Sequence, residues 1–74
     1  MEIAPGIIVE EKIKFGKPVI KGTRISVDLV LGKLAGGMTY EEVMKENEIA
    51  RQDIMAVLNY ASKMLSTEEI KAVS

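Results

Sequence analysis

Three cations and a hydroxyl fall close together in this chain: Lys17, Lys21, Thr23 and Arg24. They lie in the run Gly16-Lys17-Pro18-Val19-Ile20-Lys21-Gly22-Thr23-Arg24-Ile25-Ser26, which sets polar groups around the short apolar pair Val19-Ile20. The chemistry such a segment supports is recognition. Lys offers a point charge, and Arg offers a planar fork that grips a carboxylate or phosphate through two hydrogen bonds. Gly16 and Gly22 supply backbone that tolerates a tight turn. None of these side chains is a nucleophile with its own base. Two roles are open to Arg24. One is an ion pair inside the fold, with Asp28 one helical turn on or with Asp53. The other is a bidentate contact to a carboxylate or phosphate on a partner.

A second set of polar groups sits further along. Gln52, Met55, Asn59 and Ser62-Lys63 share one face of a predicted helix. Gln and Asn can each make paired hydrogen bonds to adenine in a DNA major groove. A plain solvated helix face has the same composition, and both readings stand. Enzyme chemistry has little to work with. The chain has no His and no Cys, so bases and nucleophiles reduce to carboxylates, Lys, Ser, Thr and Tyr. Glu41, Glu42, Glu46 and Glu48 crowd a short amphipathic segment, which is the pattern of a solvated helix face. A Cys/His metal site is excluded, and no Asp-rich calcium loop is present. The Gly16 to Gly22 loop lacks the Lys before the hydroxyl and the immediate helix of a phosphate-binding loop. No catalytic residue, metal, cofactor or small-molecule substrate is expected.

These groups must be positioned by a single domain of 74 residues. A domain of this size buries only about 60% of its unfolded surface, and oligomerisation is the common remedy when disulfides and metals are lacking. The N-terminus shows no secretory leader, and no apolar run approaches a membrane span. With the absence of Cys, this points to the cytoplasm. Net charge is −1, but residues 10–24 carry +3 and residues 25–74 carry −3. A basic N-terminal segment therefore precedes an acidic helical body, and the basic part is a candidate surface for phosphate or an acidic partner.

Residues 7–25 read as a β element, with Ile7-Ile8-Val9-Glu10 as a first strand and the Gly16 to Ile25 segment supplying a second. Residues 26–65 read as three helices. Ser26 caps the first, and Val27, Val30, Leu31 and Leu34 share its apolar face until Gly36-Gly37 ends it. Thr39 and Glu42 form a capping box, with Met38 and Val43 as a hydrophobic staple, and open a second helix from Tyr40 to about Glu46. A third helix runs from about Arg51 to Met64, with Ile54, Val57, Leu58, Ala61 and Leu65 as its buried stripe. Ala50 is a poor cap for it. Residues 66–74 form a short C-terminal helix, capped by Ser66 with Glu69, or a frayed tail. The expected core is Val30, Leu34, Val43, Ile54, Val57, Leu58 and Ala61. The second helix, the turn at Asn47 to Ala50 and the third helix have the proportions of a helix-turn-helix. Four glutamates near the turn oppose DNA binding, because affinity for DNA comes largely from phosphate neutralisation.

The run Gly16 to Val27 closely resembles the signature of a small prokaryotic family known as domain of unknown function 433. Leu34-Ala35-Gly36-Gly37-Met38-Thr39-Tyr40-Glu41-Glu42-Val43 and the third-helix stretch Asp53-Ile54 through Leu58-Asn59-Tyr60-Ala61 are similar to two further elements of that family. The likeness covers residues 7–65. Ala50 departs from it, standing where the family usually has Ser or Thr. The resemblance implies a homeodomain-like or winged-helix-like three-helix body with a short N-terminal β element. It also implies an antitoxin role of the VapB type, paired with a PIN-like ribonuclease toxin.

The sequence therefore predicts an α+β domain, mostly α. The expected function is an antitoxin-like binding protein that engages a toxin protein, with its operator DNA as a second partner. The alternative is a small homodimeric protein-interaction module without nucleic-acid binding. Lys17, Lys21, Thr23, Arg24, Gln52 and Asn59 are the candidate contacts to nucleic acid or an acidic partner. A homodimer is expected, built on Ile7, Ile8, Val9, Val19 and Ile20 through strand pairing or apolar packing.

Overall fold

The computed structural model describes residues 1–66, and the C-terminal element expected over residues 66–74 lies outside them but for Ser66. Three short strands come first: β1 (Glu2–Ala4), β2 (Ile7–Ile8) and β3 (Val19–Ile20). They pair antiparallel in the order β1-β2-β3. Three helices follow: α1 (Val27–Ala35), α2 (Tyr40–Asn47) and α3 (Arg51–Ser66), each packed on the other two. α3 also packs on β2 and β3. The result is an α+β fold, mostly α, with the sheet at the N-terminal end.

Each helix boundary has a local cause. The Ser26 hydroxyl accepts from the Leu29 N–H and starts α1. Gly37 ends it at φ +100°, with its N–H bonded to the Leu34 carbonyl and the Met38 N–H to the Lys33 carbonyl. That pair of bonds satisfies carbonyls the helix leaves open, and the left-handed residue between them favours glycine. Thr39 and Glu42 form the full capping box on α2. α3 begins after Ala50, where no side chain caps. Instead the Asp53 carboxylate reaches back to accept from the Ala50 N–H at 2.9 Å. This half of a capping box offsets the poor cap residue.

β1 is a strand the sequence reading did not predict. Pro5-Gly6 reverses the chain, with Gly6 at φ +79°, the residue pair suited to a type II turn. The Glu2 carboxylate accepts from the Gly6 N–H at 2.9 Å, and Met1 and Val9 exchange backbone hydrogen bonds. A Cβ on Gly6 would stand 3.2 Å from the Ala56 Cβ, so glycine lets the turn lie directly on α3.

The core differs from expectation at its floor. Ile7 and Val19 are 0% exposed and Ile20 is 1% exposed. Ile7 and Ile20 join Val27, Val30, Val43, Ile49, Ile54 and Val57 in one cluster. This corrects the assignment of Ile7, Val19 and Ile20 to a dimer interface, since side chains sealed within one chain have no area left for a partner. Ile8 and Val9 are half-buried. The strand edges differ from expectation as well. β2 is the central strand, and the outer edge of β3 is taken by the returning chain, where Val19 bridges Ser26 and Ile20 donates to the Ile25 carbonyl. Of the expected core, Val30, Val43, Ile54 and Val57 are buried, while Leu34 and Leu58 are half-buried against the cluster. Ala61 is half-buried. Leu65 is 61% exposed, because α3 runs past the body and Ser62 to Ser66 all face solvent. Ser66 is helical within α3, its hydroxyl donates to the Lys63 carbonyl, and its expected capping with Glu69 lies outside the described residues.

Candidate functional site

The hairpin after β3 positions the basic segment. Lys21 to Arg24 form its turn, with Gly22 at φ +81°. Thr23 is engaged entirely in holding that turn. Its hydroxyl donates to the Ile20 carbonyl at 2.8 Å and accepts from the Ile25 N–H at 2.9 Å. The chain then crosses back over Pro18, whose carbonyl accepts from the Val27 N–H at 3.0 Å. Much of the segment is therefore architecture: Val19 and Ile20 are buried, Thr23 pins the turn, and Ser26 caps α1. The cations Lys17, Lys21 and Arg24 are exposed.

Two of these cations have partners within the chain. Lys17 pairs with Asp28 at 3.3 Å, and Lys21 with Glu2 at 3.2 Å. The Asp28 carboxyl is held below its ordinary range first by the Ser26 hydroxyl and then by Lys17. The Glu2 carboxyl is lowered first by the Gly6 N–H and then by Lys21. Both pairs are solvent-exposed, and such pairs stabilise little. A phosphate or carboxylate from a partner can displace them at little cost. Arg24 is exposed and pairs with no described residue. Asp28 is taken by Lys17 and Asp53 by the Ala50 N–H, so the internal ion pair considered for Arg24 is not formed.

The second surface is built by α2, the turn Glu48 to Ala50, and α3. Asn47 closes α2 by donating to the Val43 carbonyl, and Glu48 takes the left-handed conformation at φ +53°. Ile49 is buried and anchors the turn. The start of α3 is tied to the start of α2, where Arg51 donates to Glu41 at 2.9 Å and lies over the Tyr40 ring at 5.3 Å. Lys33 of α1 pairs with Glu46 of α2. Gln52, Met55, Asn59, Ser62 and Lys63 are all exposed. Gln52 and Asn59 stand two turns apart, about 10 Å along the axis. The four glutamates near the turn are less available than composition alone indicates. Glu41 and Glu46 are paired, and Glu42 is held by its capping box, with its carboxyl lowered chiefly by the Thr39 backbone N–H. Among the described residues, no hydrogen bond or ion pair joins the hairpin cations to Gln52 or Asn59.

One exposed group was not anticipated by residue pattern. Phe15 is 99% exposed at the tip of a 3-10 turn spanning Lys14–Gly16. Lys14, Phe15 and Gly16 all have positive φ, at +50°, +56° and +82°. The available signal was an aromatic beside glycine among lysines, belonging to neither the strand nor the helix periodicity. Close by in the chain, Lys17, Pro18, Val27, Asp28 and Leu31 line a pocket of about 220 Å³. Among the described residues, no group of three or more carboxylates gathers as a metal site, and no helix is long and apolar enough to cross a membrane.

Comparison with known proteins bears on the family. The family model described as Protein of unknown function (DUF433) matches residues 7–61. No curated protein and no solved structure matches the chain. The family match runs from β2 through the hairpin, α1 and α2 into α3, well over half of the sequence, and so the chain belongs to the domain of unknown function 433 family.

Proposed function

We propose that this chain is an antitoxin-like binding protein of a prokaryotic toxin–antitoxin pair, a homodimer rather than an enzyme. Its toxin partner would be a PIN-like ribonuclease, and α2 and α3 would act as a helix-turn-helix on its own operator. The observation that carries the DNA half is the junction of α2 and α3. An eight-residue helix, a three-residue turn opening on a left-handed residue, and a longer helix with Gln52, Met55 and Asn59 facing out reproduce the parts of that motif. Gln52 near the start of α3 stands where a recognition helix contacts base edges. Arg24 and the exchangeable Lys17 and Lys21 would supply phosphate contacts. With both chains of a dimer these reach at most about six, for a log–log salt slope no steeper than about −5.

The test uses the duplex upstream of the gene and a scrambled duplex of equal length, titrated at several salt concentrations. The upstream duplex should bind at least tenfold more tightly, and Gln52→Ala and Asn59→Ala should erase the preference without changing the melting temperature. The neighbouring PIN-like ribonuclease, co-expressed, should co-purify and lose nuclease activity. Equal binding of both duplexes rejects the operator role, and an uninhibited nuclease rejects the antitoxin role. A second reading, a protein-interaction module without nucleic-acid binding, draws support from the acidic surface of α2 and the turn after it, where Glu48 repels phosphate.

A further inference from the structure

The exposed Phe15 and an apolar pocket lie close together along the chain. Phe15 reaches Pro18, at the pocket rim, in three residues, at most about 11 Å of chain. The pocket is apolar in its Pro18, Val27 and Leu31 walls and carries one positive and one negative side chain, Lys17 and Asp28, which pair with each other at 3.3 Å. Its volume of about 220 Å³ falls below the roughly 300–1,000 Å³ of small-molecule sites. It suits a single side chain. Phe15 does not fill the pocket of its own chain, since 99% of it is exposed. Its backbone is held in the left-handed region across Lys14, Phe15 and Gly16, a conformation that costs free energy in non-glycine residues and concentrates where function requires it.

We infer that this patch is the homodimer interface, and that Phe15 of each chain enters the Pro18-Val27-Leu31 pocket of a second copy. A patch that carries both a projecting ring and a hole is complementary to itself under a two-fold rotation, which is the requirement for a closed dimer. The rim is self-complementary as well. Lys17 and Asp28 pair within one chain, and across a two-fold axis each meets its opposite on the other copy. Covering the ring by assembly matches the limited core of a 74-residue domain. This surface is distinct from β1, the strand edge that no other described strand covers, and from the outward face of α3, so a dimer formed here leaves α3 free.

The test requires neither DNA nor toxin, so its failure is separate from failure of the antitoxin reading. Sedimentation equilibrium of the full chain from low micromolar to several hundred micromolar should fit a monomer–dimer equilibrium. Phe15→Ala should weaken it by roughly 100- to 1,000-fold, because each dimer loses two buried rings. The thermal melt of monomeric Phe15→Ala should match that of the parent extrapolated to dilute conditions, which shows the fold intact. A mixed sample of isotope-labelled and unlabelled chains should give intermolecular contacts in a filtered nuclear Overhauser experiment from the Phe15 ring to Val27 and Leu31 methyls. A parent that stays monomeric at several hundred micromolar overturns the inference. So does a dimer that survives Phe15→Ala, or one whose Phe15 ring shows no intermolecular contact. A monomeric parent in which Phe15→Ala instead abolishes binding to the co-encoded ribonuclease would move the ring to the toxin interface.

Discussion

Replacing Ile7 by alanine tests whether β2 belongs to the core of one chain. Ile7 is fully buried and packs in the cluster with Ile20, Val27, Val30, Val43, Ile49, Ile54 and Val57. The substitution removes three carbons from this site. At about 0.8 kcal/mol per buried methylene the transfer loss is about 2.4 kcal/mol. The cavity left between the sheet and α3 adds about 1 kcal/mol, since strands and helix collapse only partly onto it. The expected loss is therefore about 3–4 kcal/mol. A domain of 74 residues has a folding stability of about 4–11 kcal/mol in all. The variant should consequently melt about 12–30 °C below the parent, and at the lower end of that stability range it will be largely unfolded at room temperature. Far-UV circular dichroism at two or more protein concentrations gives the melt, and urea titration gives the free energy. Ile8→Ala, at a half-buried neighbour, should cost less than about 1 kcal/mol and serves as control. If Ile7→Ala loses under about 1 kcal/mol as a monomer and alters only the concentration dependence of melting, Ile7 faces a partner and its placement in the core is wrong.

Two further outcomes follow from the helix ends. Glu42 has its carboxyl held below the ordinary value of 4.5 by the Thr39 backbone N–H and then by the Thr39 hydroxyl. A carboxyl depressed by folding adds stability that is complete above its ordinary value and is lost as pH falls through the folded one. The melting difference between parent and Glu42→Gln should thus be constant from neutral pH down to about 5 and shrink below 4.5, as read from melts across that range; a difference that grows on acidification would refute the capping geometry. Glu48 sits at φ +53°, where an L-residue costs about 1–2 kcal/mol and glycine does not. After the extra chain entropy of glycine, Glu48→Gly should stabilise by about 0.5–1 kcal/mol in urea titration, and a loss of stability would show that the turn is not left-handed there.

The helices could be read from the sequence because each is specified twice, by apolar period and by end chemistry. Ser26, Gly36-Gly37 and the Thr39–Glu42 box all act where the pattern places them. β1 carried a signal in Pro5-Gly6, but a strand of three residues is too short for alternation to show. The apolar runs at Ile7 and at Val19-Ile20 announce burial without saying under what. A hydrophobic side chain gains the same free energy beneath α3 as beneath a second copy, so only the fold decides, and here it places α3 on β2 and β3. The exposed end of α3 shows the converse. Leu65 continues the stripe of Ile54, Val57 and Leu58 in period, yet the helix has outrun the body it packs on.

The candidate recognition residues were legible as types and not as roles. Arg24 and Lys17 compete for Asp28, and spacing favours Arg24, four residues away. That rule holds for side chains on one helix. Arg24 precedes the Ser26 cap and lies in a hairpin turn, so its side chain does not stack on the first turn of α1. The Val27 N–H bond to the Pro18 carbonyl instead lays residue 17 beside residue 28, and Lys17 takes the carboxylate. Among the described residues the arginine is thereby left unpaired by the same hairpin that buries Val19 and Ile20. Fold and the proposed recognition thus draw on one short segment but on different atoms. The apolar side chains, the Thr23 hydroxyl and the backbone hold the turn, and the guanidinium at its tip is exposed. It follows that Arg24→Ala should leave folding intact while weakening whatever the turn binds, whereas Thr23→Ala should loosen the turn and lower stability first.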